Sequence, residues 1–143
     1  MLDVFVMACA LVAVTVIVHA VGIAVLVRTI LARHSQLPTQ VWPMIRLVVG
    51  VTWALILLHL IEVAIWALFF LWAECLPDAE AAFYFSGVTY ATVGYGDVVL
   101  PQPWRLLGPL EGLTGILMCG LSTGFFFAVF SRILGARLRF DSQ

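Results

Sequence analysis

The sequence predicts an all-α membrane protein: three transmembrane helices plus a shorter re-entrant helix. Three observations carry that expectation. The chain is 64% hydrophobic and 10% charged, where a soluble domain carries roughly 25% charge, and its mean hydropathy is +1.12. Three apolar runs are each long enough for a bilayer, which takes about 20 residues. Between the second and third runs lies a short amphipathic stretch followed by Thr-Val-Gly-Tyr-Gly-Asp at residues 92–97, too short to cross and return as helix.

The first run, Val4 to Val27, carries no formal charge. It predicts a retained helix rather than a cleaved signal peptide, since its start holds Asp3 and no basic residue. The second run, Leu47 to Ala73, is broken only by His59 and Glu62, and the third, Leu106 to Ser131, only by Glu111. Each is expected to be helical, because lipid satisfies no backbone polar group. Six of the seven basic residues (Arg28, Arg33, Arg46, Arg132, Arg137, Arg139) fall in the first connection or after the third run. The positive-inside rule makes that side cytoplasmic. The expected topology has the N-terminus outside and the C-terminus inside, in a membrane such as the bacterial inner (plasma) membrane. Trp42, Trp72 and Trp104 fall at expected membrane boundaries; Trp53 and Trp66 read as packing residues. Net charge is −1, which gives no footing for nucleic-acid binding. Cys9, Cys75 and Cys119 read as small buried hydrophobes; of the three, only Cys75, at the outer end of the second run, is placed to be oxidised.

The segment between runs two and three supplies the functional expectation. Asp78 can cap a helix, and Glu80 sits in its first turn, where an acid favours the dipole. A helix over 79–91 is about 20 Å long, less than a bilayer. Such a half-helix, followed by irregular backbone, is allowed at membrane depth only inside protein or beside water. One chain with three spans cannot enclose it; symmetric association can. In Thr92 to Tyr95, successive carbonyls face one way only if the backbone alternates in hand, and Gly94 and Gly96 permit positive φ at little cost. Four such strands around an axis would make stacked rings of carbonyl oxygens that replace the water of a potassium ion.

The run Thr89-Tyr90-Ala91-Thr92-Val93-Gly94-Tyr95-Gly96-Asp97 resembles the tetrameric potassium channel superfamily, in particular small prokaryotic channels built from outer helix, pore helix, filter and inner helix. The resemblance covers roughly residues 47–133, including Pro103-Trp104-Arg105-Leu106-Leu107 as the link into the inner helix. It implies a homotetramer, with Thr92, Val93, Gly94 and Tyr95 as K+ ligands and no other cofactor. Thr89, Tyr84, Gly96 and Asp97 would support the filter. It also suggests a gating hinge at Gly115, with Gly120 second; close helix contact is the competing reading. One departure is Val88, where some members carry a carboxylate bonded to the Asp after the filter. Asp97 then needs another partner, such as Tyr84 or a neighbouring subunit's group. Tyr84 and Phe85 are the candidates for the aromatic pair behind the filter tyrosine.

The expected organisation is an N-terminal helix and connection (1–46), a pore domain (47–133) and a short tail (134–143). Within the pore domain the outer helix is 47–73, the pore helix 79–91, the filter 92–97 and the inner helix 106–131. Outside the filter, His59 and Glu62 share a face at i, i+3. They read as a structural tie or as a membrane-embedded sensor; two ligands are too few for a metal. His19 is within reach of Glu62 if the first span packs there. Glu111 reads as a support behind the filter. The chain shows no paired acids in a cleft, no nucleophile with a base and no phosphate loop, so no enzyme is expected. The expected function is passive, potassium-selective conduction by four chains in a lipid bilayer. The alternative is a non-conducting accessory subunit with a filter-like loop.

Overall fold

A computed structural model describes residues 2–33 and 40–141, and for Arg33 and residues 136–141 it describes the backbone alone. The connection 34–39 and the side chains of Arg33, Arg137 and Arg139 lie outside the described residues. The elements are α1 (Leu2–Arg33), α2 (Val41–Trp72), α3 (Ala79–Tyr90), a 3-10 turn (Trp104–Leu106) and α4 (Leu107–Asp141). No strand occurs among the described residues. Three helical segments, Leu2–Ala32, Val41–Trp72 and Trp104–Gly135, are long and apolar enough to cross a membrane.

The helices outrun the hydropathy runs that locate them. α1 continues to Arg33 and α2 starts at Val41 rather than residue 47. α4 continues through the segment expected as a short tail, to Asp141. A charge such as Arg46 ends an apolar run without ending the hydrogen-bond ladder. Pro43 sits in the first turn of α2, where a missing N–H costs nothing. α3 starts where Asp78 caps it: the Ala81 N–H donates to Asp78 Oδ1 at 2.8 Å.

α1 packs on α2 and α4 of its own chain. Towards the N-terminal end of α1, Ala8 and Leu11 join Trp66, Phe70 and Phe85 in one apolar cluster. Towards its other end, Ile23, Leu26 and Ile30 pack against Leu47, Val51, Leu55 and Ile133. Gly22 lets the helices meet: a Cβ there would stand 2.5 Å from Leu58 Cδ1. The Trp66 indole N–H donates to Thr15 Oγ1 at 3.1 Å, a polar tie between α1 and α2. Trp53, by contrast, is 60% exposed in the single chain, so it is not a packing residue of this fold. α3 lies between α2 and α4, and that placement positions the loop that follows it.

Candidate functional site

α3 ends in a way that sets the conformation of the loop. Ala91 is its C-cap. The Thr92 N–H donates to the Thr89 carbonyl at 2.9 Å, and the Val93 N–H to the Val88 carbonyl at 2.8 Å. These are the two bonds of a Schellman motif, whose first residue past the cap is left-handed. Glycine usually fills that place; here it is Thr92, with φ 58°. A β-branched residue at positive φ is strained, at about 1–3 kcal/mol. The Gly94 N–H also donates to the Val88 carbonyl, at 3.1 Å, so the loop is pinned to the helix end. Gly94 (φ 53°) and Gly96 (φ 78°) are left-handed as well, whereas Val93 and Tyr95 are not. The backbone therefore alternates in hand from Thr92 to Gly96.

The far end of the loop is tied back to α3. The Tyr84 hydroxyl donates to Asp97 Oδ2 at 2.6 Å, and the Val98 N–H donates to Asp97 Oδ1 at 3.1 Å. Tyr84 is thus the partner that Asp97 needs with Val88 in place of a carboxylate. Its hydroxyl holds the Asp97 carboxyl below the ordinary value of 3.8. A lowered pKa means the tie is fully present above the ordinary value and is lost as pH falls through the lowered one. Tyr84→Phe is expected to move the Asp97 titration up toward 3.8, measured by carboxyl-carbon NMR; an unmoved or lower midpoint would refute the tie. Phe85 is buried against Phe70, with ring centroids 5.3 Å apart at 80°, and lines a cavity with Gly94 and Gly96, while Tyr95 is 71% exposed in the single chain.

α4 supports α3 through one face. Gly108 approaches Phe85, and Gly112 approaches the Thr89 carbonyl, 3.3 Å from the position a Cβ would take. At Gly115 a Cβ would overlap the Tyr90 carbonyl. α4 runs unbroken through Gly115 and Gly120, so in this structure Gly115 serves close approach; among the described residues nothing lies within 4 Å of a Cβ at Gly120. On the same face Glu111 is fully buried. The Ser86 hydroxyl lies 2.5 Å from Glu111 Oε1 and 2.9 Å from the Val63 carbonyl. It links α2, α3 and α4 behind the loop.

A second polar cluster lies beside Tyr90. His59 Nδ1 donates to Glu62 Oε2 at 3.1 Å, and His19 Nδ1, from α1, donates to Glu62 Oε1 at 2.9 Å. The Tyr90 hydroxyl also donates to Glu62 Oε2. His59 and Glu62 are therefore one half of a four-residue cluster that spans α1, α2 and α3. Sequence reasoning missed Tyr90, Ser86 and the left-handed Thr92. None carries a local signal: a tyrosine, a serine and a threonine in an apolar run look like packing residues until their partners are known. Cys75 is buried, as a small hydrophobe, and burial pushes its thiol up to about 11, so the reactive thiolate is scarce at neutral pH; Cys9 and Cys119 are exposed in the single chain.

A half-length helix, a loop of alternating hand and three helices long and apolar enough to cross a membrane define an all-helical membrane-protein fold. The chain belongs to the ion channel family, whose model matches residues 44–132. It is a membrane ion channel protein, and the matched segment contains most of α2, α3, the loop and most of α4. Searches of curated proteins and of solved structures returned no match.

Proposed function

We propose that four copies of this chain form a potassium-selective channel through which K+ moves passively down its gradient. The observation that carries this reading is the alternation of backbone hand at Thr92, Gly94 and Gly96. Such alternation brings successive carbonyls of Thr92, Val93, Gly94 and Tyr95 to one side of the strand. Around a four-fold axis they would replace the ion's hydration shell. The C-terminal end of the α3 dipole, partially negative, would favour a cation on its way in or out. In the single chain, residues 91–97 are exposed, as are Leu113, Ile116, Leu117 and Leu121 of α4. Neighbouring subunits would cover that surface. The arginine distribution orients the channel with its N-terminus outside and its C-terminus cytoplasmic, in a plasma membrane. Thr89, Tyr84, Gly96 and Asp97 hold the filter, and Glu111 braces it through Ser86. Hinge motion at Gly115 or Gly120 would require a conformation of α4 other than this unbroken helix.

Purified protein in liposomes tests this. The expected result is barium-blocked potassium flux far above sodium flux, abolished in Gly94→Ala. Among the described residues nothing lies within 4 Å of an alanine Cβ there, but alanine resists the positive φ, so the loss would report the filter backbone. Equal sodium and potassium flux would overturn selectivity. Absence of flux under every condition would favour the accessory-subunit reading.

A further inference from the structure

Glu62 is fully buried in the middle of a membrane-length helix. A carboxylate there needs a compensating charge. Among the described residues its ion-pair partners are His19 and His59 alone, and the chain contains no lysine. The groups facing it are two imidazoles and the Tyr90 hydroxyl, with Cys119 of α4 in the groove that His59 lines. None is a fixed cation. The compensating charge has to be a proton or a metal ion.

The geometry favours a metal. His19, His59 and Glu62 each offer one ligand atom, and these atoms all lie within 4.8 Å of one another. Ligands of a tetrahedral zinc, at about 2.0–2.2 Å from the ion, stand about 3.4 Å apart. The observed 2.9 and 3.1 Å contacts run to the two different oxygens of Glu62 and would open by a few tenths of an ångström, while the widest ligand separation, at most 4.8 Å, would close toward the same value. Two histidines and a glutamate with one position left over is a zinc donor set. Imidazole selects zinc, copper or nickel over the oxygen-seeking magnesium and calcium. His19 turns its Nδ1 to Glu62; binding a metal there would place the ring proton on Nε2, which is buried with no hydrogen-bond partner among the described residues. Access is open at His59, which is 21% exposed and lines a groove with Thr52, Cys119 and Ser122.

We propose that His19, His59 and Glu62 form a binding site for a divalent transition-metal ion, zinc fitting best, and that its occupancy alters ion flow through Tyr90. Tyr90 stands two residues before Thr92, and its hydroxyl shares Glu62 Oε2 with His59. An ion on the carboxylate either displaces that hydroxyl or takes it as the fourth ligand. Both outcomes move the last turn of α3, on which the loop is pinned. Binding stands on the cluster alone; the effect on flow rests on the proposed channel function.

Chelator-stripped full-length protein in nanodiscs is titrated with cobalt(II), then with zinc as competitor. One ion per chain is expected, with the visible absorption of four-coordinate cobalt, lost on zinc addition. His19→Gln and His59→Gln keep a hydrogen-bond donor for Glu62 and remove the imidazole. Removing even an outer partner of a bound metal costs about 10–100-fold in affinity, so each variant is expected to weaken binding by about 100-fold or more. No saturable binding, or binding equal in parent and both variants, would overturn the site and leave a proton-bearing tie. Gly94→Ala must still bind cobalt, which separates the site from conduction. In liposomes, saturating zinc is expected to change parent potassium flux several-fold and to leave His19→Gln unchanged. Binding without a change in flux, or with no flux at all, would overturn the coupling to Tyr90.

Discussion

Gly115→Ala is expected to dislodge α3 and to destabilise the protein more than any other glycine-to-alanine change in its membrane helices. A Cβ at this position would overlap the Tyr90 carbonyl oxygen and stand 2.9 Å from the carbonyl carbon and 3.1 Å from Tyr90 Cα. All three are main-chain atoms at a helix end, and none can rotate away. Gly22 makes a useful contrast: its near contacts are the methyl ends of Leu58, which can change rotamer. Overpacking of a closed contact costs about 1–3 kcal/mol and sometimes more. Here the shift also reaches the Tyr90 hydroxyl and, through it, Glu62 and α1. Gly50→Ala is the control, since nothing lies within 4 Å of its Cβ. Thermal unfolding followed by size-exclusion fluorescence is the measurement. A Gly115→Ala midpoint equal to that of Gly50→Ala would show that the two helices are not in such close contact.

Glu62→Ala, with a chelator present, is expected to loosen α1 from the rest of the protein. The substitution leaves the donors of His19, His59 and Tyr90 without their acceptor at one stroke. In soluble proteins, removing one partner of a buried ionic contact costs about 3–5 kcal/mol. Hydrogen bonds inside membranes average about 0.6 kcal/mol, with a maximum near 1.7, so three of them give about 2–5 kcal/mol. The two routes overlap, which supports a loss of several kcal/mol in lipid. Glu62→Gln keeps an acceptor oxygen and nearly the same volume, and is expected to fall between parent and Glu62→Ala. Protease accessibility of the 34–39 connection and the unfolding midpoint together read the effect. The reverse order of the two variants, or no difference from parent, would show that the cluster holds nothing in place.

Much of the fold was legible because its causes are local. Hydropathy over a window reports the bilayer, and the three membrane-length helices follow from it. Asp78 reads as a cap because a helix start needs an acceptor within three residues. Gly94 and Gly96 read as left-handed positions because a missing Cβ removes the penalty. The helix ends were less legible: an arginine stops the apolar pattern, while the backbone ladder runs on to Arg33 and back to Val41. Thr92 was illegible for a different reason. Its side chain opposes its φ, and the Schellman bonds of α3 overrule it.

Sequence alone determined three spans, a half-length helix between the last two, and a backbone run able to alternate in hand, since each depends on a residue and its near neighbours. Only the tertiary structure decided that α1 packs on its own chain and that His19 meets Glu62 across 43 positions. The same holds for Tyr90, which reaches Glu62 across 28, and for Gly115, which seats the end of α3. These depend on how helices rotate and approach one another, and on which buried polar groups then find a partner. No periodicity along a uniformly apolar helix marks the side that will face its neighbour.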